Sequence, residues 1–413
     1  MERRVVVTGL GVISPIGNDV ESYWKSLISG TCGIDFITKF DVSEAKVKIA
    51  AEVKNFDPEL YVEKKECKRL DLYSQYAMAA AIQAVTDSNI ENAIDKERLG
   101  VYVGSGIGGI NTFVTETEKM LTQGSRRVSA MFIPMMIANM ASGNIAIKYG
   151  AKGPNLPVVT ACATSSNAVG EAFRAVKHGY ADAIIAGGAE ASICPLAMAG
   201  FTNCMALTTV NDPQSASIPF DKRRSGFVMG EGAAVLILEE LEHAIKRGAK
   251  IYGEIVGYGN TCDAYHITAP HPEAEGAAKA IELAIKEAGM ENEDSIYINA
   301  HGTSTPLNDK AETAAIRRAL GDKANKAYVS STKSMTGHML GAAGAAEAIA
   351  SILALKNGVL PPNINFKESD LDCDLNYLIN GAVNVQVQLA LSTSLGFGGH
   401  NACIAMKKYV SQE

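Results

Sequence analysis

Runs of apolar residues, each five to nine positions long and closed by glycine or a polar turn, punctuate the chain. In the first 240 residues they are "RRVVVTGLG", "RLGVYVGSG", "PVVTAC", "ADAIIAGGAE" and "GAAVLILEE". Their length, β-branched content and boundaries predict buried strands. Stretches of helical periodicity separate several of them, including Asp71–Ser88 and Val169–His178. After about residue 250 the pattern restarts with "IYGEIVGYG", "SIYINAHGT", "AYVSSTKS" and "LALSTSLGFGG…ACIAM", and Glu273–Gly289 and Ala311–Leu320 read as helices between them. Strands alternating with helices predict an α/β architecture.

The two stretches read as copies of one plan, residues 1–250 and 251–413. In the first, "VVTAC" leads into "SSNAVGEAFRAVKHG"; in the second, "AYVSSTKS" leads into "GHMLGAAGAAEAIASILALKNG". Each is a strand, a polar turn, a small-residue helix and a Lys-x-Gly stop. "VLPPNINF" (residues 359–366) reads as a fixed loop carrying an extended Pro-Pro.

Composition narrows the function. The 413 residues are 47% hydrophobic and 20% charged, as in an ordinary globular protein. A net charge of −7 disfavours nucleic acid and anionic membranes as partners. The uncharged run Ala130–Ile147 contains Pro134, Asn139, Ser142, Gly143 and Asn144, which suits a buried wall or an interface better than a membrane span. The N-terminus passes directly into a strand without the apolar stretch and cleavage site of a secretory signal. Eight cysteines without a C-x-x-C pair fit free thiols in a reducing cytoplasm.

Most of those cysteines are expected to be small buried hydrophobes. Cys162 differs: at a strand-to-helix turn, a helix N-terminus favours its thiolate. Ala161, Ala163, Thr164, Ser165 and Ser166 leave room for a substrate beside it. Two histidines occupy related positions. His301 follows the strand in "INAHGTSTPLND", and His338 opens the small-residue helix in "STKSMTGHMLGAAG". Side chains at the carboxyl ends of α/β strands face the crevice where ligands bind. Two other readings compete. "GSGIGG" (Gly104–Gly109) fits a dinucleotide fingerprint, but no acidic residue closes a second strand about 20 residues on, where the ribose contact belongs. Cys162, His301 and His338 could also form a Cys-His-His zinc set. No G-x-S-x-G or P-loop motif is present.

Together "TACATSS", "NAHGTSTPLND", "SSTKSMTGHMLGAAG" and "GFGGHN" resemble the β-ketoacyl-[acyl carrier protein] synthases, closest to the type II condensing enzymes of bacterial fatty-acid synthesis. The resemblance spans essentially the whole chain. It implies a thiolase-like five-layer α-β-α-β-α fold with two similar halves, a homodimer, and acyl carrier protein as partner. No organic cofactor is implied, since substrates ride on the carrier's phosphopantetheine. Cys162 would hold the acyl chain as a thioester. The backbone N–H groups of Cys162 and Phe397 would form the oxyanion hole, and His301 and His338 would donate to the malonyl enolate. Lys333 would belong to the active-site network, with Glu347 just behind. Thr268, Thr303 and Thr305 would line the mouth through which pantetheine enters, although the latter two equally suit turn capping. Ile107, Phe132 and Phe201 match acyl-pocket or gate positions and equally fit plain core. Lys64, Lys65, Lys68, Arg69, Arg126 and Arg127 would dock the acidic carrier. A polyketide ketosynthase shares this chemistry; a non-catalytic chain-length factor lacks the nucleophile.

Two features depart from the family pattern. Thr393 stands where relatives often carry Asn, near a monovalent-cation site seen in similar enzymes. Cys67 and Met205 replace arginines of some relatives in the docking region.

Overall fold

The computed structural model describes residues 3–411. Ten strands form one mixed sheet: β1 (Val5–Ile13), β2 (Leu99–Gly104), β3 (Ala183–Glu190), β4 (Gly232–Glu240), β5 (Gly253–Cys262), β6 (Ile296–Asn299), β7 (Tyr328–Ser330), β8 (Asn376–Tyr377), β9 (Leu389–Gly396) and β10 (His400–Lys407). Their order is β8-β7-β6-β9-β10-β5-β1-β4-β3-β2. The repeat is explicit in the pairing. In the first half β2 runs parallel to β3, β3 antiparallel to β4 and β4 antiparallel to β1. In the second half β6 runs parallel to β9, β9 antiparallel to β10 and β10 antiparallel to β5. A short antiparallel pairing of β1 with β5 joins the halves.

The helices complete the layers: α1 (Leu72–Ser88), α2 (Ile110–Gln123), α3 (Thr164–Lys177), α4 (Glu275–Ala288), α5 (Pro306–Leu320) and α6 (Ala343–Asn357). A central core holds Val169 and Phe173 of α3 against Ile349, Ile352 and Leu353 of α6, between the two halves of the sheet. Separate cores form outside, with α1 over the first half and α4 and α5 over the second. This is the five-layer α-β-α-β-α fold.

Glycine repeats with the architecture. A Cβ on Gly9 or Gly11 would lie 2.2 or 1.9 Å from the carbonyl oxygens of Ala84 or Ala80 in α1. A Cβ on Gly257 or Gly259 would lie 2.0 or 1.8 Å from those of Ala284 or Ala280 in α4. Both contacts are too short for any side chain, so alternate glycines let each helix backbone rest directly on its strand.

Three sequence expectations need correction. "VVTAC" is not a strand. Residues 154–160 run extended beside β2, but pairing is confined to Pro154 and Leu156 against Val101 and a single bridge at Asn155. Pro154 and Pro157 have no N–H to donate, and the chain then leaves the edge with Val159 54% exposed. The helix expected to start at Val169 starts at Thr164, after a 3-10 turn over Ala161–Ala163. The helix expected to start at Ala311 starts at Pro306, where proline's missing N–H costs nothing. Ala130–Ile147 folds into Phe132–Met136 and most of Met140–Tyr149. Among the described residues no helix is long and apolar enough to cross a membrane.

Candidate active site

Cys162 sits in the tight turn that opens α3. Ala161, just before it, has φ +50°, a left-handed conformation that alanine adopts only under constraint. The constraint is visible: Thr160 N–H donates to Thr164 Oγ1 (2.9 Å), Asn167 donates to Thr160 Oγ1 (2.7 Å), and Tyr258 OH donates to Asn167 Oδ1 (2.6 Å). The second half also holds α3, because Ala345 N–H donates to Ser165 Oγ (2.9 Å) and Ser166 Oγ meets Ser394 Oγ at 2.7 Å.

The backbone N–H groups of Phe397 and of Cys162 itself both reach the Cys162 sulfur. Gly396 makes that approach possible, since a Cβ there would lie 2.8 Å from the Thr160 carbonyl oxygen. The thiolate expected from the helix end is not the resting state. Burial pushes the thiol up to about 12, against the pull of Lys333 and the two N–H groups, and the Glu190 charge adds to the rise. Desolvation of a single sulfur outweighs a partial helix-end charge. The resting nucleophile is therefore a neutral thiol.

His301 follows β6 at a turn pinned by a buried carboxylate. Glu312 accepts from the backbone N–H groups of His301 and Gly302 (2.7 Å each) and from Thr393 Oγ1 (2.6 Å). His338 is fixed through its backbone, donating to the Val228 carbonyl (2.8 Å) and accepting from Gly230 N–H (2.8 Å). Leu340 N–H donates to Nδ1 of His338 (3.3 Å), which places the imidazole proton on Nε2. That Nε2 is buried without a protein partner, as is Nδ1 of His301. The rings lie edge to face with centroids 5.2 Å apart. Burial, with Lys333 adding to it, holds both histidines well below their ordinary range, so both are neutral. Lys333 is buried and its Nζ donates to Glu347 Oε1.

Cys162, His301 and His338 line one cavity of about 370 Å³, with Thr268, Thr303, Thr305 and Phe397. The remaining predicted residues lie elsewhere. Phe201 backs the wall, its ring 5.7 Å from Phe227 and 6.4 Å from Phe397. Ile107 is 38% exposed outside the cavity, and the half-buried Phe132 packs 6.4 Å from Phe113; neither is plain core in this chain. Lys64, Lys65, Lys68 and Arg69 are exposed on and after the short helix Lys64–Cys67, and Arg126 and Arg127 on the turn Ser125–Arg127. Lys64 pairs with Glu59 at 3.2 Å.

Three functional positions escaped the sequence reading. Phe227 sets its ring 5.1 Å from His338, edge to face, and nothing in "GFVMG" signals it. Glu312 lies about two helical turns beyond the "HGTST" turn it holds, on the helix that this turn opens. Glu190 ends β3 in "GGAEAS", where a buried acid at a strand end was a legible signal.

Glu190 also disposes of the dinucleotide reading. It is buried and accepts from Ser105 Oγ (2.9 Å), Gly106 N–H (2.9 Å) and Ile107 N–H (3.2 Å), so the glycine-rich loop cradles the protein's own carboxylate. Among the described residues no three His, Cys, Asp or Glu side chains converge as a metal site, so the Cys-His-His set does not form a zinc tripod. Thr393 turns its side chain toward Glu312. Ser392, adjacent to it, pairs in register with Asn299, and Ser392 Oγ, Asn299 Nδ2 and Glu347 Oε2 are buried without partners. Thr393 thus supports His301, accepting from its N–H at 3.1 Å and donating to Glu312.

Comparisons with known proteins give the family. "Beta-ketoacyl synthase, N-terminal domain" matches residues 2–244 and "Beta-ketoacyl synthase, C-terminal domain" residues 252–367. The 3-oxoacyl-[acyl-carrier-protein] synthase 2 of Synechocystis is 53% identical over 410 residues, covering 99% of both chains. That of Staphylococcus aureus strain COL is 50% identical over 408 residues, covering 98% of this chain and 99% of the relative. Among solved structures, the ishigamide ketosynthase/chain length factor superposes with a TM-score of 0.92 at 38% identity, covering 99% of this chain and 100% of that one. A type II polyketide acyl-carrier protein in complex with its ketosynthase, bound to the hexaketide, gives 0.90 at 33% identity with the same coverage. The fold and the paired histidines beside a cysteine define a thiolase-fold condensing enzyme. More narrowly, the chain belongs to the β-ketoacyl synthase family.

Proposed function

We propose that this chain is a 3-oxoacyl-[acyl-carrier-protein] synthase, an acyltransferase that lengthens a cysteine-bound acyl chain by decarboxylative condensation with malonyl-[acyl carrier protein] in fatty-acid elongation. One observation carries the reading: a thiol facing two backbone N–H groups shares its cavity with two neutral imidazoles, each with one ring nitrogen that lacks a protein partner.

Cys162 attacks the thioester carbonyl of an acyl group on the carrier's pantetheine. Its S–H proton leaves as the new C–S bond forms, and the departing pantetheine sulfur ends as a thiol. The Cys162 and Phe397 N–H groups stabilise the oxyanion, each such donor being worth about 3 kcal/mol in a dry site. Malonyl thioester then enters. Its bond to the carboxylate breaks, CO₂ leaves, and the electron pair moves into an enolate whose oxygen accepts from His338 Nε2–H and from His301. Neutral donors suit this step because they retain a proton to share without holding the oxyanion as a fixed salt pair. The enolate carbon attacks the Cys162 thioester, its C–S bond breaks, and the sulfur takes a proton from solvent as the β-ketoacyl product leaves. Lys333, bound to Glu347, holds positive charge near both centres. The orphaned oxygens of Ser392 and Glu347 would suit a monovalent cation, which would supply charge balance behind the site; no step requires it.

The carrier docks on Lys64, Lys65, Lys68, Arg69, Arg126 and Arg127, all exposed and basic on an acidic chain. Thr268, Thr303 and Thr305 guide its pantetheine, and Phe201, behind the cavity wall, bounds the acyl tail. A homodimer accounts for the exposed apolar side chains Phe113, Ile133, Ile147, Leu156 and Val159 and for the short-paired sheet edge at 154–160. Free cysteines among the described residues suit the cytoplasm.

The test is to incubate the protein with acyl carriers of graded length plus malonyl carrier and to weigh enzyme and products. An acyl adduct on Cys162 and a β-keto product two carbons longer are expected. An unmodified Cys162 with no such product at any length would end the proposal.

A further inference from the structure

We infer that Glu190 is a positioning residue of this active site: its carboxylate clamps the glycine loop beside Cys162 to the turn that follows His338, and so sets the nucleophile against the histidine across the two halves. The inference rests on the condensing-enzyme reading.

The bonding pattern carries it. One oxygen, Oε1, accepts from Ser105 Oγ (2.9 Å) and Ile107 N–H (3.2 Å), with Ser192 Oγ at 3.5 Å. The other, Oε2, accepts from Gly106 N–H (2.9 Å) in the first half and from Gly341 N–H (3.1 Å) in the second. Gly108 N–H donates to Ser105 Oγ (2.9 Å), which commits the Ser105 proton to Glu190. Burial pushes the Glu190 carboxyl above its ordinary range, and the donors around it, backbone N–H groups that can only donate together with Ser105 Oγ–H, pull it back toward the anion. The nest has no room to relax. A Cβ on Gly106 would lie 2.7 Å from Oε2, and one on Gly341 would lie 2.8 Å from Oε2 and 2.5 Å from Gly106 N.

Both ends of the clamp reach the chemistry. Gly106 packs toward the carbonyl of Ala161, the residue before Cys162. Gly341 follows Leu340, whose N–H fixes the tautomer of His338. Glu190 itself does not line the cavity. Its charge is nevertheless felt at the sulfur. The other ionisable groups around Cys162 are Lys333, His301 and His338 from the second half, with Asp263 and Cys204 in the cavity wall. Tyr73 is a further group that senses the Glu190 charge.

Two full-length variants separate position from charge. Glu190→Gln removes the charge and turns an amide N–H₂ toward the donors of the nest. Gly341→Ala opens the clamp while keeping the charge. Each is assayed for Cys162 acylation, for its Michaelis constant with acyl carrier, and for the pH midpoint of Cys162 alkylation by iodoacetamide. Both variants should lose about 10-fold or more in kcat with the Michaelis constant within about twofold, the signature of a group acting on geometry rather than binding. The alkylation midpoint should fall by about half a unit or more in Glu190→Gln, because a neighbouring negative charge is gone, and stay in place in Gly341→Ala. Turnover like that of the unsubstituted protein in Gly341→Ala, or an unmoved midpoint in folded Glu190→Gln, would overturn the inference. Should Glu190→Gln fail to fold, Gly341→Ala decides alone through its turnover. Absence of acylation in the unsubstituted protein would instead indict the condensing-enzyme reading.

Discussion

The turn before α3 and the turn before α6 occupy equivalent places in the two halves and share a backbone. Each is a three-residue 3-10 turn, Ala161–Ala163 in one and Leu340–Ala342 in the other, and each leads straight into a buried small-residue helix. Each opens with a residue in the left-handed region, Ala161 at φ +50° and Leu340 at +47°. They differ at the next position, where the first has Cys162 and the second Gly341. A side chain at 162 projects into the cavity. At 341 the corresponding space holds the Glu190 carboxylate, and any side chain would collide with it. One scaffold, duplicated, thus carries a nucleophile at one copy and a fixed anion at the other. The second half contributes its chemistry beside the turn instead, through His301 and His338.

The comparison breaks most completely at Cys162. Cys162→Ala leaves the two turns nearly alike and should cut acyl transfer by a factor of about 10³ or more while sparing part of malonyl decarboxylation. Mass spectrometry and CO₂ release check the two halves of that statement; an acylated, condensing mutant would contradict it. Removing the contribution of the second half comes next. His301→Ala and His338→Ala should each slow decarboxylation about 10²-fold or more, with Cys162 acylation less affected, because oxyanion donors are typically worth that much. Unchanged CO₂ release in both variants would refute the donor role.

The duplicated strand–helix contacts offer a symmetric test of stability. Gly11→Ala and Gly259→Ala should each destabilise by about 2–3 kcal/mol, since a methyl group must displace a helix backbone in both halves. Denaturant melts would show whether the two costs match. Acid stability follows from the histidines. Both are held below their ordinary range in the fold, so the unfolded chain binds more protons as pH drops. Their contribution is full above about pH 6.5 and is lost as pH falls below it, by roughly 1.4 kcal/mol per unit for each histidine. His338→Ala should flatten the curve of stability against pH between about 6.5 and 5 by that slope. The smallest effect belongs to the exposed charges. Reversal of Lys64, Lys65, Arg126 or Arg127 should raise the Michaelis constant for carrier-bound substrate a few-fold at low salt and fade at high salt.

Much of this was legible before any coordinates. Nine apolar runs predicted strands, and eight form them. The ninth, "VVTAC", failed because periodicity reports burial and β-branching but not whether donors are available; Pro154 and Pro157 remove them. Cys162, His301 and His338 stood out because reactive residue types followed apolar runs and entered small-residue turns. Glu190 was legible as an acid closing an apolar run, but its role was not: "GSGIGG" invites a phosphate, and only the arrival of a carboxylate from 85 residues away shows the loop is already filled. Phe227 left no trace in sequence at all, since an aromatic residue against an imidazole looks like any other core residue until both are placed.

The order of strands and helices, the repeated plan and the three reactive side chains are properties of the sequence by itself, because they rest on local periodicity, turn chemistry and residue type. The ionisation state of those side chains is not. The helix-end location pointed to a thiolate at Cys162, and the fold makes it a thiol, because desolvation is set by everything packed around the sulfur. Only the tertiary structure brings residue 162 within reach of residues 301, 338 and 397, and only there do unpaired ring nitrogens and backbone N–H groups converge on one cavity.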